Sequence, residues 1–134
     1  TSGLLVPLDE GTAGRRWAIV VNSAHHATRQ RFTIAHELGH LLLHGYTEPH
    51  ADRGYVVRFR DGRSSEGRVS EEIEANQFAA ELLMPQDLLL KRATALRLEY
   101  VPLDGEDDPA VAELAREFEV SKHALLIRLS NLLA

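Results

Sequence analysis

The sequence predicts an α+β fold, with a β-rich segment near its start and amphipathic helices through the rest of its length. Three observations carry that expectation. The run Trp17-Ala-Ile-Val-Val-Asn22 is apolar and rich in β-branched residues, helical spacing governs residues from about 28 to 44 and 70 to 83, and helix start signals recur at Pro109 and Ser121. With 134 residues, 44% of them hydrophobic, the chain is sized for one domain with a buried core, read as a catalytic part over 1–100 and a helical C-terminal segment over 101–134.

Taken in order, Trp17–Asn22 lies between glycines at 11 and 14 and the polar Asn22-Ser-Ala, which frames a buried strand. A first helix is expected from about Thr28 to His44, with Gly45 as its stop. Between Gly45 and Ser70 the chain is polar and rich in Arg and Gly; the alternation in Tyr55-Val-Val-Arg-Phe-Arg60 predicts a short strand or edge. A second helix should run from about Ser70 to Leu83 and end before Met84-Pro85, because a residue preceding proline is pushed out of helical geometry. A third follows from Pro85 to about Arg97. Beyond the loop Pro102–Pro109, two further helices are expected near Ala110–Phe118 and Ser121–Leu133, with Pro109 and Ser121 as start signals.

Charge and composition narrow the function. Fifteen Lys and Arg against twenty Asp and Glu leave a net charge of -5, which disfavours direct nucleic-acid binding. With no cysteine, a thiolate metal site, a thiol nucleophile and a disulfide framework are all excluded, so a metal would rely on His and carboxylates. No apolar run reaches the eighteen or so residues of a membrane span, and the amino end lacks the regions of a signal peptide. The expectation is a soluble cytoplasmic protein. Its start at Thr1, without methionine, leaves room for a missing upstream domain, and the oligomeric state is left open.

His36-Glu37-Leu38-Gly39-His40 is an H-E-x-x-H pentapeptide inside the first helix. Residues four apart on a helix stand one turn above each other, so both imidazoles can reach one ion, with Glu37 about 100° further round and close enough to hold the metal's water. On a helical wheel Ile34, Ala35, Leu38, Leu41 and Leu42 gather on one side and Thr33, His36, Glu37, His40 and His44 on the other. The leucine face is expected to be core and the imidazole face to open onto a cleft.

A catalytic zinc takes three protein ligands and keeps a position for water. His44 lies about 12 Å along the helix from His36, too far to share its ion, and is assigned to the outer shell or to the helix-end dipole. In Ser70–Pro85 the carboxylate of Glu72 falls on the apolar stripe with Ala75, Ala79 and Leu83, whereas Glu74, Gln77 and Glu81 fall opposite. An inward carboxylate needs a cation, so Glu72 is the expected third ligand, with Glu71 its competitor. Asn76, one turn on, is placed to orient a ligating imidazole.

These two blocks, Arg31–His44 and Glu72–Pro85, resemble the ImmA/IrrE metallopeptidases, a gluzincin-like group of small bacterial and phage proteins. The likeness runs from about Ala18 to Pro85, half the chain. It implies a small zincin-like domain with a short β-sheet, an active-site helix and a second ligand-bearing helix. By resemblance, His36, His40 and Glu72 would ligate zinc, or another divalent ion such as Mn2+, and Glu37 would be the general base. The implied activity is site-specific cleavage of a helix-turn-helix type transcriptional repressor. Many members carry a DNA-binding domain before the peptidase, for which the stretch before Trp17 is too short.

Five residues are chemically able to steady the oxyanion, namely Tyr46, His50, Tyr55, Tyr100 and His123. The alternative function is a DNA-binding or metal-sensing regulator on a peptidase-like scaffold. Leu114–Leu129 has helix-turn-helix cadence, but residues 106–134 hold six acids against three Lys or Arg, so packing against the rest of the chain is favoured. An inert sensor would have no chemical use for Glu37. The arginines at 53, 58, 60, 63 and 68, and the pair His25-His26, receive no site role.

Overall fold

The computed structural model describes residues 2–8, 16–46, 49–52 and 62–133, with side chains from 68 onward in the last stretch. Among these residues the order is β1 (Gly3–Leu8), β2 (Arg16–Val21), α1 (Ala27–His44), β3 (His50–Asp52), α2 (Gly62–Leu83), α3 (Gln86–Ala95), a single 3-10 turn (Gly105–Asp107), α4 (Pro109–Phe118) and α5 (Lys122–Leu133). This is an α+β fold, as the sequence predicts. The chain divides into two compact units, Thr1–Ala79 and Ala80–Ala134, and α2 runs across the division.

In the first unit the three strands form one antiparallel sheet in the order β2-β1-β3. β1 is central, pairing Leu5 with Ile19 on one side and with His50 on the other. The sequence did not announce it, because Pro7 argues against a central strand. The structure shows why proline is tolerated: the pairing with β3 covers Gly3 to Leu5, and at Pro7 only the pairing with Trp17 of β2 is described. β3 was also unanticipated, and the strand expected at Tyr55–Arg60 lies outside the described residues.

α1 begins where the His26 ring accepts from the Thr28 amide and ends at Gly45, whose left-handed φ of 60° is the stop expected of glycine. Its faces correct the wheel. Thr33, Ala35, His36, Glu37, Gly39 and His40 are buried, whereas Ile34 is 46% and Leu42 65% exposed. The supposed cleft face is therefore the packed one. Burial of polar groups is tolerable when partners meet them, and here both neighbours lie on that side: β1 touches Thr33 and Glu37, and α2 brings Glu72, Asn76 and Phe78 against the histidine turns. Gly39 permits the approach of α2, since a Cβ there would stand 3.0 Å from the Phe78 ring.

α2 starts at Gly62, a full two turns before the expected Ser70. The opening holds Gly62, Ser64, Ser65 and Gly67, which have poor helix propensity, and the acids after Ser70 imitate a first turn. Its end at Leu83, ahead of Met84-Pro85, is as expected.

The second unit is helical around Met84, Leu89, Ala93, Leu98, Val111, Leu114, Phe118, Leu125 and Leu129, all buried. Each fully buried leucine contributes about 1.5–3 kcal/mol of transfer free energy. α3 stops at Ala95 rather than Arg97, because Arg97 takes a left-handed φ of 58°. α4 has the expected start, with Pro109 in the first turn and the Asp108 carboxylate accepting from the Ala110 and Val111 amides at 2.8 and 3.3 Å. The Ser121 hydroxyl accepts from the Ala124 amide at 3.0 Å to begin α5.

Candidate metal centre

Three of the residues singled out by sequence meet at one point in the first unit. His36 Nε2 lies 2.9 Å from Glu72 Oε2, His40 Nε2 lies 2.9 Å from Glu72 Oε1, and the two ring nitrogens are 3.1 Å apart. All three residues are buried. The one-turn separation on α1 stacks the rings, with centroids 4.6 Å apart and planes nearly perpendicular, and the register of α2 supplies the carboxylate.

Hydrogen bonding fixes what these nitrogens can do. Asn76 Oδ1, which only accepts, sits 2.8 Å from His36 Nδ1, so that nitrogen carries the proton and donates it. In a neutral ring the Nε2 lone pair is then left pointing at a carboxylate oxygen and at a second imidazole nitrogen. Two imidazole nitrogens and a carboxylate gathered at one point make a donor set that a cation would bring together. Bonds of about 2.0–2.1 Å in a tetrahedral site require donors about 3.3 Å apart, close to the spacing found. The donor set, two nitrogens and a carboxylate, suits zinc.

Glu37 is fully buried on the same helix, against the start of β1. A Cβ on Gly3 would stand 2.7 Å from Thr33 Cγ2 and 3.0 Å from Glu37 Oε1. Ser2, also buried, accepts from Arg29 on α1 at 3.0 Å and so ties the strand to the helix. Gly3 and Thr33 were not visible as site residues in the sequence, because the strand carrying Gly3 was itself unread. Replacing Gly3 with Ala forces Thr33 or Glu37 aside at an expected cost of about 1–3 kcal/mol; urea denaturation showing no loss would refute that contact.

The remaining candidates fall in distinct places. His44 Nδ1 is 2.9 Å from His40 Nδ1, behind the ring, and His44 Nε2 is 3.5 Å from Glu74 Oε1. Glu71 is turned away from the position of Glu72: its Oε2 accepts from the Tyr46 hydroxyl at 2.7 Å. His50, on β3, reaches the centre from another side, with Nε2 3.8 Å from Glu72 Oε1. Tyr100 and His123 are exposed on the second unit, and Tyr55 lies outside the described residues.

Comparison with known proteins bears on the same residues. The model of the IrrE N-terminal-like domain matches residues 4–130. The chain belongs to the ImmA/IrrE family. Among its relatives in that family are proteins named radiation response metalloprotease IrrE from Deinococcus radiodurans and from Deinococcus deserti, each 35% identical over 115 residues covering 84% of this chain. The match covers 30% and 36% of their respective lengths, so this chain spans about a third of those ImmA/IrrE proteins.

Proposed function

We propose that this chain is a zinc-dependent endopeptidase whose substrate is a protein, specifically a helix-turn-helix type transcriptional repressor, and that residues 1–134 act as one catalytic domain in the cytoplasm. The observation that carries the reading is the convergence of His36, His40 and Glu72 beside a fully buried Glu37 on the same helix. The metalloprotease relatives support the class of reaction. The repressor is the narrower part of the proposal and rests on the family resemblance.

In this reading His36, His40 and Glu72 hold the cation, Asn76 fixes the ring of His36, and His44 backs His40. Zinc, with Mn2+ the alternative, supplies Lewis acidity for water and for the scissile carbonyl. Glu37 accepts the proton of the attacking water and passes it to the leaving amine. Among the described candidate donors for the developing oxyanion, His50 is the one that stands beside Glu72 and is only half-buried.

The DNA-binding alternative loses support from the tail. Every Lys or Arg between 106 and 134 is engaged within the chain: Arg116 with Glu113 at 2.8 Å, Lys122 with the Glu106 carbonyl at 2.9 Å and Arg128 with the Met84 carbonyl at 3.1 Å. The segment is also net negative, where phosphate contact would require the reverse.

Incubating the protein with a helix-turn-helix repressor from the same genome should give discrete fragments, none with a chelator present, and fragments again once zinc is returned. A repressor that stays whole while the protein demonstrably carries zinc would sink the substrate assignment.

A further inference from the structure

We infer that Tyr46 and Glu71 form a relay behind His40 that positions and polarises this imidazole as a metal ligand. The inference rests on the metal-binding reading above and adds to it two residues that neither touch the ion nor belong to the H-E-x-x-H motif.

The geometry is a chain of three groups. The Tyr46 hydroxyl donates to Glu71 Oε2 at 2.7 Å, and its oxygen lies 3.2 Å from His40 Nδ1. A hydroxyl whose own proton is given to a carboxylate presents only lone pairs to its other neighbour. His40 Nδ1 therefore donates to Tyr46, and its Nε2 is left as the lone-pair nitrogen facing Glu72. The same result reaches His36 directly through the Asn76 amide of α2, whereas His40 meets Tyr46, beyond the end of α1, and Glu71 of α2 acts only through it. The two supports differ in charge. Asn76 is neutral, whereas Glu71 is an acid acting through a phenol, and a short O–H···O⁻ bond polarises the next bond in the chain.

His44 is the rival acceptor, since its Nδ1 is 2.9 Å from the same nitrogen of His40. Its link to an acid is looser, 3.5 Å to Glu74 against 2.7 Å from Tyr46 to Glu71. Tyr46 is also held in place, stacked on the His50 ring with centroids 4.4 Å apart and planes 17° from parallel. That stacking places the relay and the exposed edge of the site on one rigid pair of rings.

His40, His44 and Glu71 have atoms close enough together to hold an ion themselves. A relay is the simpler use of them, because an ion on His40 Nδ1 would demand that the ring lose its last proton while Nε2 serves the main centre.

The test uses the whole chain stripped of metal and titrated with Zn2+ against a chelating dye, then with Co2+ for its visible absorption. Tyr46→Phe keeps the ring and its stacking on His50 and removes only the hydroxyl. It should weaken Zn2+ binding 10–100-fold, the range expected when an outer-shell partner of a ligating histidine is lost, and should shift the Co2+ band. Glu71→Gln should weaken binding less than tenfold, and the double variant should bind no more weakly than Tyr46→Phe alone. A fall in the metal-free melting temperature of Tyr46→Phe with Zn2+ affinity unchanged would instead mark a merely structural role and overturn the relay.

Tyr46→Phe binding Zn2+ within twofold of the parent with an unchanged Co2+ spectrum would overturn the relay, as would additive losses in the double variant. A second equivalent of metal, bound by the parent and missing from Glu71→Gln, would also overturn it by making the cluster a metal site. Failure of the parent to bind any divalent ion would instead remove the metal-centre reading on which the inference stands.

Discussion

Glu37→Gln is expected to leave metal binding close to that of the parent protein while lowering peptide hydrolysis by about 10²–10⁴-fold or more, the usual contribution of a positioned general base. The argument is steric as much as chemical. Glu37 is fully buried, with its carboxylate against Gly3 and its neighbour Thr33, so a nearly isosteric amide is tolerated where a smaller or larger side chain would disturb β1. Glutamine cannot accept a proton, and the step assigned to this position needs an acceptor. Elemental analysis and a progress curve on cleaved substrate check both halves. A variant that retains zinc and still cuts at the parental rate would strip Glu37 of its role.

Spacing alone predicts that His36 and His40 stand one turn apart on one face, because four-residue separations on a helix are rigid and survive any packing arrangement, and the apolar stripe of its own helix predicts that Glu72 turns inward. The same spacing misled on solvent exposure. Hydrophobicity marked Ile34 and Leu42 as core, and both are exposed, while the buried side of α1 is the one carrying histidines and a glutamate. A periodic pattern reveals that a helix has two faces; which face is packed depends on whether neighbours satisfy the polar groups, and those neighbours are the unread β1 and the far-off Glu72 and Asn76.

The residues around the centre sort by the same logic. Asn76 was legible because it stands one helical turn from Glu72 and so inherits that residue's orientation. Tyr46 appeared only as a donor that might reach substrate, and the structure turns its hydroxyl to Glu71 behind His40. Nothing in the sequence distinguishes the two directions, since they depend on the chain path after Gly45, where helical periodicity has ended. His50 was likewise a chemical possibility without a position until β3 paired with β1 and brought it 3.8 Å from Glu72. Helical neighbours were readable from spacing, and contacts made through strand pairing or a loop were not.

Glu71 and Glu72, adjacent in sequence, provide the second large effect, because one faces the centre and the other faces Tyr46. Zinc that binds the folded protein and not the unfolded chain stabilises by RT ln(1 + [L]/Kd), about 4.1 kcal/mol at a thousandfold excess over Kd. For a domain of this size that corresponds to a rise in melting temperature on the order of 10 °C. Glu72→Gln removes an anionic ligand and should abolish most of the rise, because two imidazoles alone hold zinc weakly and a carboxamide is a poor substitute. Glu71→Gln loses less than tenfold in affinity if it acts through Tyr46, which at the same zinc concentration leaves about 2.7 kcal/mol or more of the stabilisation. Thermal denaturation of the parent and both variants, with zinc and with chelator, separates the outcomes. Equal shifts for the parent and Glu72→Gln would remove Glu72 from the coordination sphere, and a lost shift in Glu71→Gln with a retained one in Glu72→Gln would exchange the two roles. Because the substitutions are isosteric and one residue apart on the same helix, propensity and net charge change alike in both, so a lost zinc-dependent shift in one and a largely retained shift in the other follows from the different partners of the two carboxylates.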